Sequence, residues 1–368
     1  MTKVKLSEVI RRCQTRADRY DTNFLYYVAG EHFEPGEIDL AGRGEIAGST
    51  IGPMFYYGFK PGDFLLVSRN PHLRKASRVD FAGVCSEKTF VLETADESVL
   101  SNEYLPWVLQ NDRFWNYAQE NRHGSTNFFI NWSTLADYVF ELPSIEEQKR
   151  IATILWAAQS VRRNYRKLLK ACDDVVKSQF VEMFGDEKWG FKPLSECVDS
   201  IDTGKSMNCG EGPRGVGGFG ILKLSALSSG TFVASENKVI SKDNFMSIKE
   251  VEKGDLLFAR KNTPELVGTV VYVPNEVKGL MFPDLVFRMK PKDVNALYLL
   301  AYMRSDRGLD LIQGMAHGSA KSMVNIPKTQ LARLPVPVPP LELQQEFADF
   351  VAQVDKSKFK LGICGGML

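Results

Sequence analysis

The alternation of apolar and polar positions changes period several times along the chain, and those changes mark its elements. Short runs rich in branched and aromatic residues, at 63–67, 89–92, 220–224, 255–259 and 268–273, are bounded by Gly, Pro and Asp and predict strands. Stretches near 105–117 and 296–304 follow helical spacing instead. The clearest helix opens at Ser144-Ile145-Glu146-Glu147, a capping box in which the serine hydroxyl accepts from the amide three residues on and Glu147 reaches back. From there Ile151, Ile154, Ala158, Val161, Tyr165, Leu168, Cys172 and Val175 alternate spacings of three and four. That is a heptad seam, flanked by Arg162, Arg163, Arg166, Lys167 and Lys170, and Gly185 is the expected C-cap. A helix of roughly 60 Å cannot bury such a seam alone. The C-terminal segment offers Leu343, Phe347, Phe350 and Val354 at the same spacing, until Gly362, Gly365 and Gly366 are expected to stop it at about half the first helix's length.

The same punctuation occurs twice, about 190 residues apart. Lys60-Pro61-Gly62-Asp63-Phe64-Leu65-Leu66 returns as Glu252-Lys253-Gly254-Asp255-Leu256-Leu257-Phe258, and His123-Gly124-Ser125 with Asn131 returns as His317-Gly318-Ser319 with Asn325. Tyr104-Leu105 and Asp112-Arg113 match Tyr298-Leu299 and Asp306-Arg307 in the same order. One mixed α/β (α+β) domain is therefore used twice. The expected divisions are a first domain at 1–143, a long helix at 144–186, a second domain at 187–339 and a short helix and tail at 340–368. Two similar but non-identical domains suit a molecule that reads two things.

Composition changes this picture little. At 368 residues and 44% hydrophobic, the chain supports folded domains, and a net charge of +1 neither demands nor excludes nucleic acid. The six cysteines form no C-x-x-C pair and no zinc spacing, which predicts reduced thiols in a cytoplasmic protein. The longest apolar run, 296–303, is too short for a bilayer.

Catalytic equipment is nearly missing. Thr203-Gly204-Lys205-Ser206 imitates the end of a phosphate-binding loop, but Asp199 stands where its first glycine belongs. The glycine-rich run 215–220 precedes no helical pattern, and no Asn/Asp-Pro-Pro-aromatic tetrapeptide exists to hold an extruded adenine. No metal cluster is expected.

What remains suits nucleic acid. Arg69, Asn70, Arg74, Lys75 and Arg78 crowd one loop after a strand, and Arg260, Lys261 and Asn262 stand at the equivalent place in the second copy. Arginine reads guanine edges, asparagine reads adenine, and lysine anchors on phosphate. His123, Ser125, His317, Ser319 and Lys321 add small polar loops suited to phosphate. A solvated charged loop and an unliganded tight turn remain the plain alternatives, but recurrence at one repeat position favours binding.

With these motifs in place, the chain resembles the specificity subunits of type I restriction-modification systems. The resemblance rests on the phrase from Glu141 to Ile151 that launches the long helix, the phrase from Phe180 to Asp186 that ends it, the proline-rich Leu334 to Glu342, the His-Gly-Ser loops, and Ile221-Leu222-Lys223-Leu224-Ser225. It implies a subunit without catalysis of its own. Each globular copy would be a target-recognition domain reading one half of an asymmetric bipartite site on double-stranded DNA. The helices would pair as an antiparallel coiled coil that sets the gap, with Ile151, Ile154, Val161, Tyr165, Leu168, Val175, Phe347, Phe350 and Val354 in the pairing and docking seam. They would dock DNA adenine methyltransferase (modification) subunits, joined by an ATP-dependent restriction subunit. S-adenosylmethionine, ATP and Mg belong to those partners. Two other readings stay open at this point: a self-contained DNA-modifying enzyme, and an interaction scaffold that no longer binds DNA.

Overall fold

The computed structural model describes residues 2–20, 23–185, 189–318 and 323–365. The chain divides into two compact units, Met1–Val161 and Arg162–Leu368, and the division falls inside one helix, Ile145–Phe184.

In the first unit a four-stranded antiparallel sheet runs Ile10–Cys13, Thr89–Thr94, Phe64–Val67, Ala76–Arg78 from edge to edge. A second sheet sets Tyr26–Val28 parallel to Gly83–Ser86, with Gly44–Glu45 and Phe55–Phe59 outside them. Thr2–Lys5 pairs with Val139–Leu142 and ties the two ends of the unit together. The second unit repeats this plan. Its four-stranded sheet runs Val198–Thr203, Val286–Pro291, Leu256–Ala259, Val270–Tyr272. Phe219–Leu222 lies parallel to Leu280–Met281, and Phe191–Pro193 closes on Pro335–Pro337. The duplication seen in the motifs is thus a duplication of topology.

The strands form where branched and aromatic residues bury both faces. Phe64, Leu65 and Leu66 are fully buried, as are Leu256, Leu257 and Phe258. The recurrent Gly-Asp turn has a mechanical cause: Gly62 and Gly254 adopt φ of 95° and 93°, which a side chain would resist. The following aspartates are buried and accept from the backbone three residues back, Lys60 N–H at 2.9 Å and Glu252 N–H at 2.8 Å. Burial pushes the Asp63 carboxyl up and the Asp255 carboxyl up to about 6.

The helix expected near 105–117 is two, Leu105–Leu109 and Asp112–Glu120, because the Asn111 side chain accepts from Phe114 N–H and restarts it. The helix Ala296–Arg304 matches its expected span. The long helix also needs corrections. Ser144 Oγ accepts from Glu147 N–H at 3.4 Å, but Glu147 does not reach back; its carboxylate forks onto Arg150 at 2.6 and 2.8 Å. Gly185 ends the helix without a positive φ, and its role is close approach: an added Cβ would lie 2.5 Å from the Val181 carbonyl.

The C-terminal helix spans Leu341–Gly365, 25 residues against 40, so Gly362 does not stop it. It packs on the C-terminal half of the long helix within the second unit. Phe347 is fully buried against Phe180 and Phe184, with ring centroids 5.6 Å apart in both pairs. Lys358 meets Asp173 at 2.6 Å. Later residues of one helix meet earlier residues of the other, so the pair is antiparallel. The packed face is Val176, Phe180, Met183 and Phe184. Ile154, Val161, Leu168 and Val175 stand at every seventh position and are 57%, 51%, 44% and 49% exposed. They form a separate apolar stripe. Ile151, Tyr165, Cys172, Phe350 and Val354 are half-buried.

Candidate nucleic-acid interface

Each unit brings its basic strand tip and its His-Gly-Ser loop together as a small two-stranded ribbon. In the first, Asn70 N–H donates to Phe128 and Ile130 N–H to Ser68, with Arg69 bridged to Phe129. In the second, Lys261–Asn262 pairs with Val324–Asn325, and Ile326 N–H donates to the Arg260 carbonyl. The ribbon aligns Arg69 with Lys261 and Asn70 with Asn262. It also moves one equivalence: His123 pairs with Phe129 whereas His317 pairs with Asn325, so the second loop is two residues longer. Asn131 and Asn325 are therefore not counterparts. Asn131 stands at the N-cap of Trp132–Ala136, while Asn325 accepts from Arg260 Nε and a terminal nitrogen at 3.1 and 3.0 Å.

The cations singled out from the sequence divide into free and committed ones. Arg74 is bound to Asp112 at 2.5 Å, Lys75 donates to the Gly30 carbonyl at 2.7 Å, and Arg78 forks onto Glu103 at 2.9 Å in both arms. Arg260 is held by Asn325, and Asn262 is buried, its amide oxygen taken by Thr263 N–H. Asn70 is half-buried in a left-handed conformation with φ of 51°. Arg69 and Lys261, by contrast, form no hydrogen bond or ion pair through their side chains among the described residues, and Lys261 is exposed. The Arg69 guanidinium lies 5.6 Å from the centroid of the Phe129 ring.

His123 and His317 are exposed but anchored alike. His123 Nε2 meets Thr134 Oγ1 at 3.2 Å and His317 Nε2 meets the Gln330 side chain, each on the short helix that follows its loop. Ser125 is exposed on the first loop. Ser319 and Lys321 lie outside the described residues.

Sequence reasoning missed three arginines. Arg16 lies over the Tyr56 ring at 4.3 Å, Arg43 over Tyr26 at 3.7 Å, and Arg122 over Phe128 at 4.1 Å. All three are exposed. Their aromatic partners, except for Phe128, come from distant parts of the chain, so no local motif announces them. The phosphate-loop mimic is likewise explained: Gly204 N–H and Lys205 N–H donate to the Val286 and Phe282 carbonyls, and Ser206 donates to Asp284, which leaves no amide cradle. Among the described residues, no group of three or more His, Cys, Asp or Glu is placed to hold a metal ion, and no helix is long and apolar enough to cross a membrane.

A family model described as "Type I restriction modification DNA specificity domain" matches residues 186–362. Residues 186–362 therefore resemble a type I specificity domain. The resemblance drawn from its motifs is thereby borne out. The specificity subunit of the Escherichia coli type I enzyme EcoEI is 26% identical over 181 residues, a stretch covering 47% of this chain and 30% of that relative. The type I specificity subunit from M. genitalium shares the fold, with a TM-score of 0.53 at 13% identity over 100% of this chain and 92% of that one. That likeness is one of fold, and the mixed α/β reading of this chain agrees with it.

Proposed function

We propose that this chain is the non-catalytic DNA-recognition subunit of a type I restriction-modification complex. Each unit reads one half of an asymmetric bipartite duplex site. The observation that carries this reading is the repeated ribbon, which presents a free cation, Arg69 or Lys261, beside a His-Gly-Ser loop at the same place in both units. Free cations beside small polar loops are suited to phosphate and base edges, and committed ones such as Arg74 and Arg78 are not. The ribbons differ in side chains while agreeing in backbone, which supports two different half-sites.

The exposed apolar stripe of Ile154, Val161, Leu168 and Val175 supports docking of methyltransferase subunits along the long helix, with a motor-nuclease subunit joining them. S-adenosylmethionine, ATP and Mg are assigned to those partners. The test is binding and transfer with the purified full-length chain. It should retain duplex DNA from a random pool and transfer no label from S-adenosylmethionine until a modification subunit is added. Methyl transfer by this chain alone would overturn the assignment.

A further inference from the structure

We propose that the first unit selects guanine at two positions of its half-site, through the guanidinium edges of Arg16 and Arg69, and that the second unit has no equivalent selection. This inference rests on the DNA reading above. Arg16 and Arg69 flank one strip of surface. Arg16 stacks on Tyr56; the Tyr56 hydroxyl donates to Glu87 at 3.0 Å; Lys88 meets Glu87 at 2.6 Å; and the Lys88 carbonyl accepts from Ser68 N–H, beside Arg69. Neither arginine spends its side-chain donors on a protein acceptor among the described residues, whereas Arg74 and Arg78 both do.

Two features separate base reading from phosphate anchoring. First, each guanidinium lies over an aromatic ring, 4.3 Å from the Tyr56 centroid for Arg16 and 5.6 Å from the Phe129 centroid for Arg69, and its edge has no protein acceptor among the described residues; bidentate reading of guanine O6 and N7 requires such a free edge. Second, a carboxylate stands between them. Lys88 and Tyr56 hold Glu87 below the ordinary carboxylate range, so it stays ionised. Both of its oxygens are thus engaged, and no hydrogen bond or ion pair joins it to either arginine among the described residues, so the two guanidinium forks stay available. The unspent donors of this strip are the two guanidinium edges, which suits base edges.

The corresponding strip of the second unit has the same frame and different chemistry. Lys261 replaces Arg69, Lys205 occupies the stretch after the strand where Arg16 stands, and Asp284, held by Ser206, takes the place of Glu87. An ammonium is a point charge without a fork, so this strip holds DNA without the guanine preference.

The experiment is selection of random duplexes by the full-length chain, wild type against Arg16→Lys and Arg69→Lys, with enriched sites sequenced. Lysine keeps the charge and removes only the fork. The wild type should enrich a two-part motif with guanine at two positions of one part. Each variant should lose roughly tenfold preference at one of them, with the other half-site and the salt dependence of binding unchanged. The same motif from all three proteins would overturn the guanine assignment and leave the DNA reading standing. No motif from the wild type would overturn both. Circular dichroism of the variants, whose side chains carry no structural bonds, is expected to match wild type.

Discussion

At the residue scale, two features that recur in both units prove to be architectural. Gln148 and Gln344, each five residues past a proline (Pro143 and Pro339), are fully buried. Gln148 accepts from Ser101 N–H at 2.9 Å and donates to the Pro143 and Val99 carbonyls; Gln344 accepts from Asn295 N–H and donates to Pro339, both at 2.8 Å. Each glutamine locks the start of a long helix to the backbone of its own unit. Replacing Gln344 with alanine strands a buried amide and a buried carbonyl, so chemical denaturation should show a loss of about 2–4 kcal/mol. The buried Asp255 makes a pH prediction. Its folded pKa is raised to about 6 by burial, so the stabilisation tied to its protonated form is complete below the ordinary value of 3.8 and is lost as pH rises to about 6. Asp255→Asn keeps the acceptor for Glu252 and removes the ionisation. Relative to wild type, the variant should gain about 2–3 kcal/mol of stability between pH 4 and pH 7, measured by thermal unfolding at both pH values. The sequence announced these residues by recurrence but not their work, because burial and bonding partners depend on segments tens of residues away.

At the element scale, periodicity placed the long helix and the five strands it names, left the other strands unnamed, and misjudged which helical face is covered. The heptad through Ile154, Val161, Leu168 and Val175 is real but exposed, while the face packed on the C-terminal helix is set by Val176, Phe180 and Phe184. Spacing cannot say which of two adjacent apolar stripes meets the partner within the chain. Two substitutions separate them. Phe347→Ala removes a fully buried ring and should destabilise the second unit by about 3–5 kcal/mol. Val161→Ser with Leu168→Ser should shift stability by less than about 1 kcal/mol, yet weaken co-purification of a modification subunit. Full retention of that subunit would remove the stripe from the docking surface. Gly362 does not stop the C-terminal helix, because a helix already held by Phe347 and the Lys358–Asp173 pair continues to Gly365 and glycine weakens a helix by only about 1 kcal/mol; Gly366 lies outside the described residues.

At the scale of the whole molecule, the duplication was legible because glycine, aspartate and histidine punctuate turns that a fold cannot easily replace. The candidate site was legible only in part. Arg69 and Lys261 are legible as members of a basic run, whereas Arg16 and Arg43 owe their placement to aromatic rings that tertiary structure supplies. The central claim is that two reading units, joined by one long helix, each recognise half of a bipartite site. Inserting four residues after Lys167 lengthens that helix by roughly 6 Å, and duplex DNA advances about 3.4 Å per base pair. Sequencing the methylated sites in cells that carry the inserted chain with its modification subunits is the most direct test. Both half-sites should keep their bases while the spacer between them grows by one or two base pairs; altered half-site bases, or an unchanged spacer at full methylation, would contradict the claim.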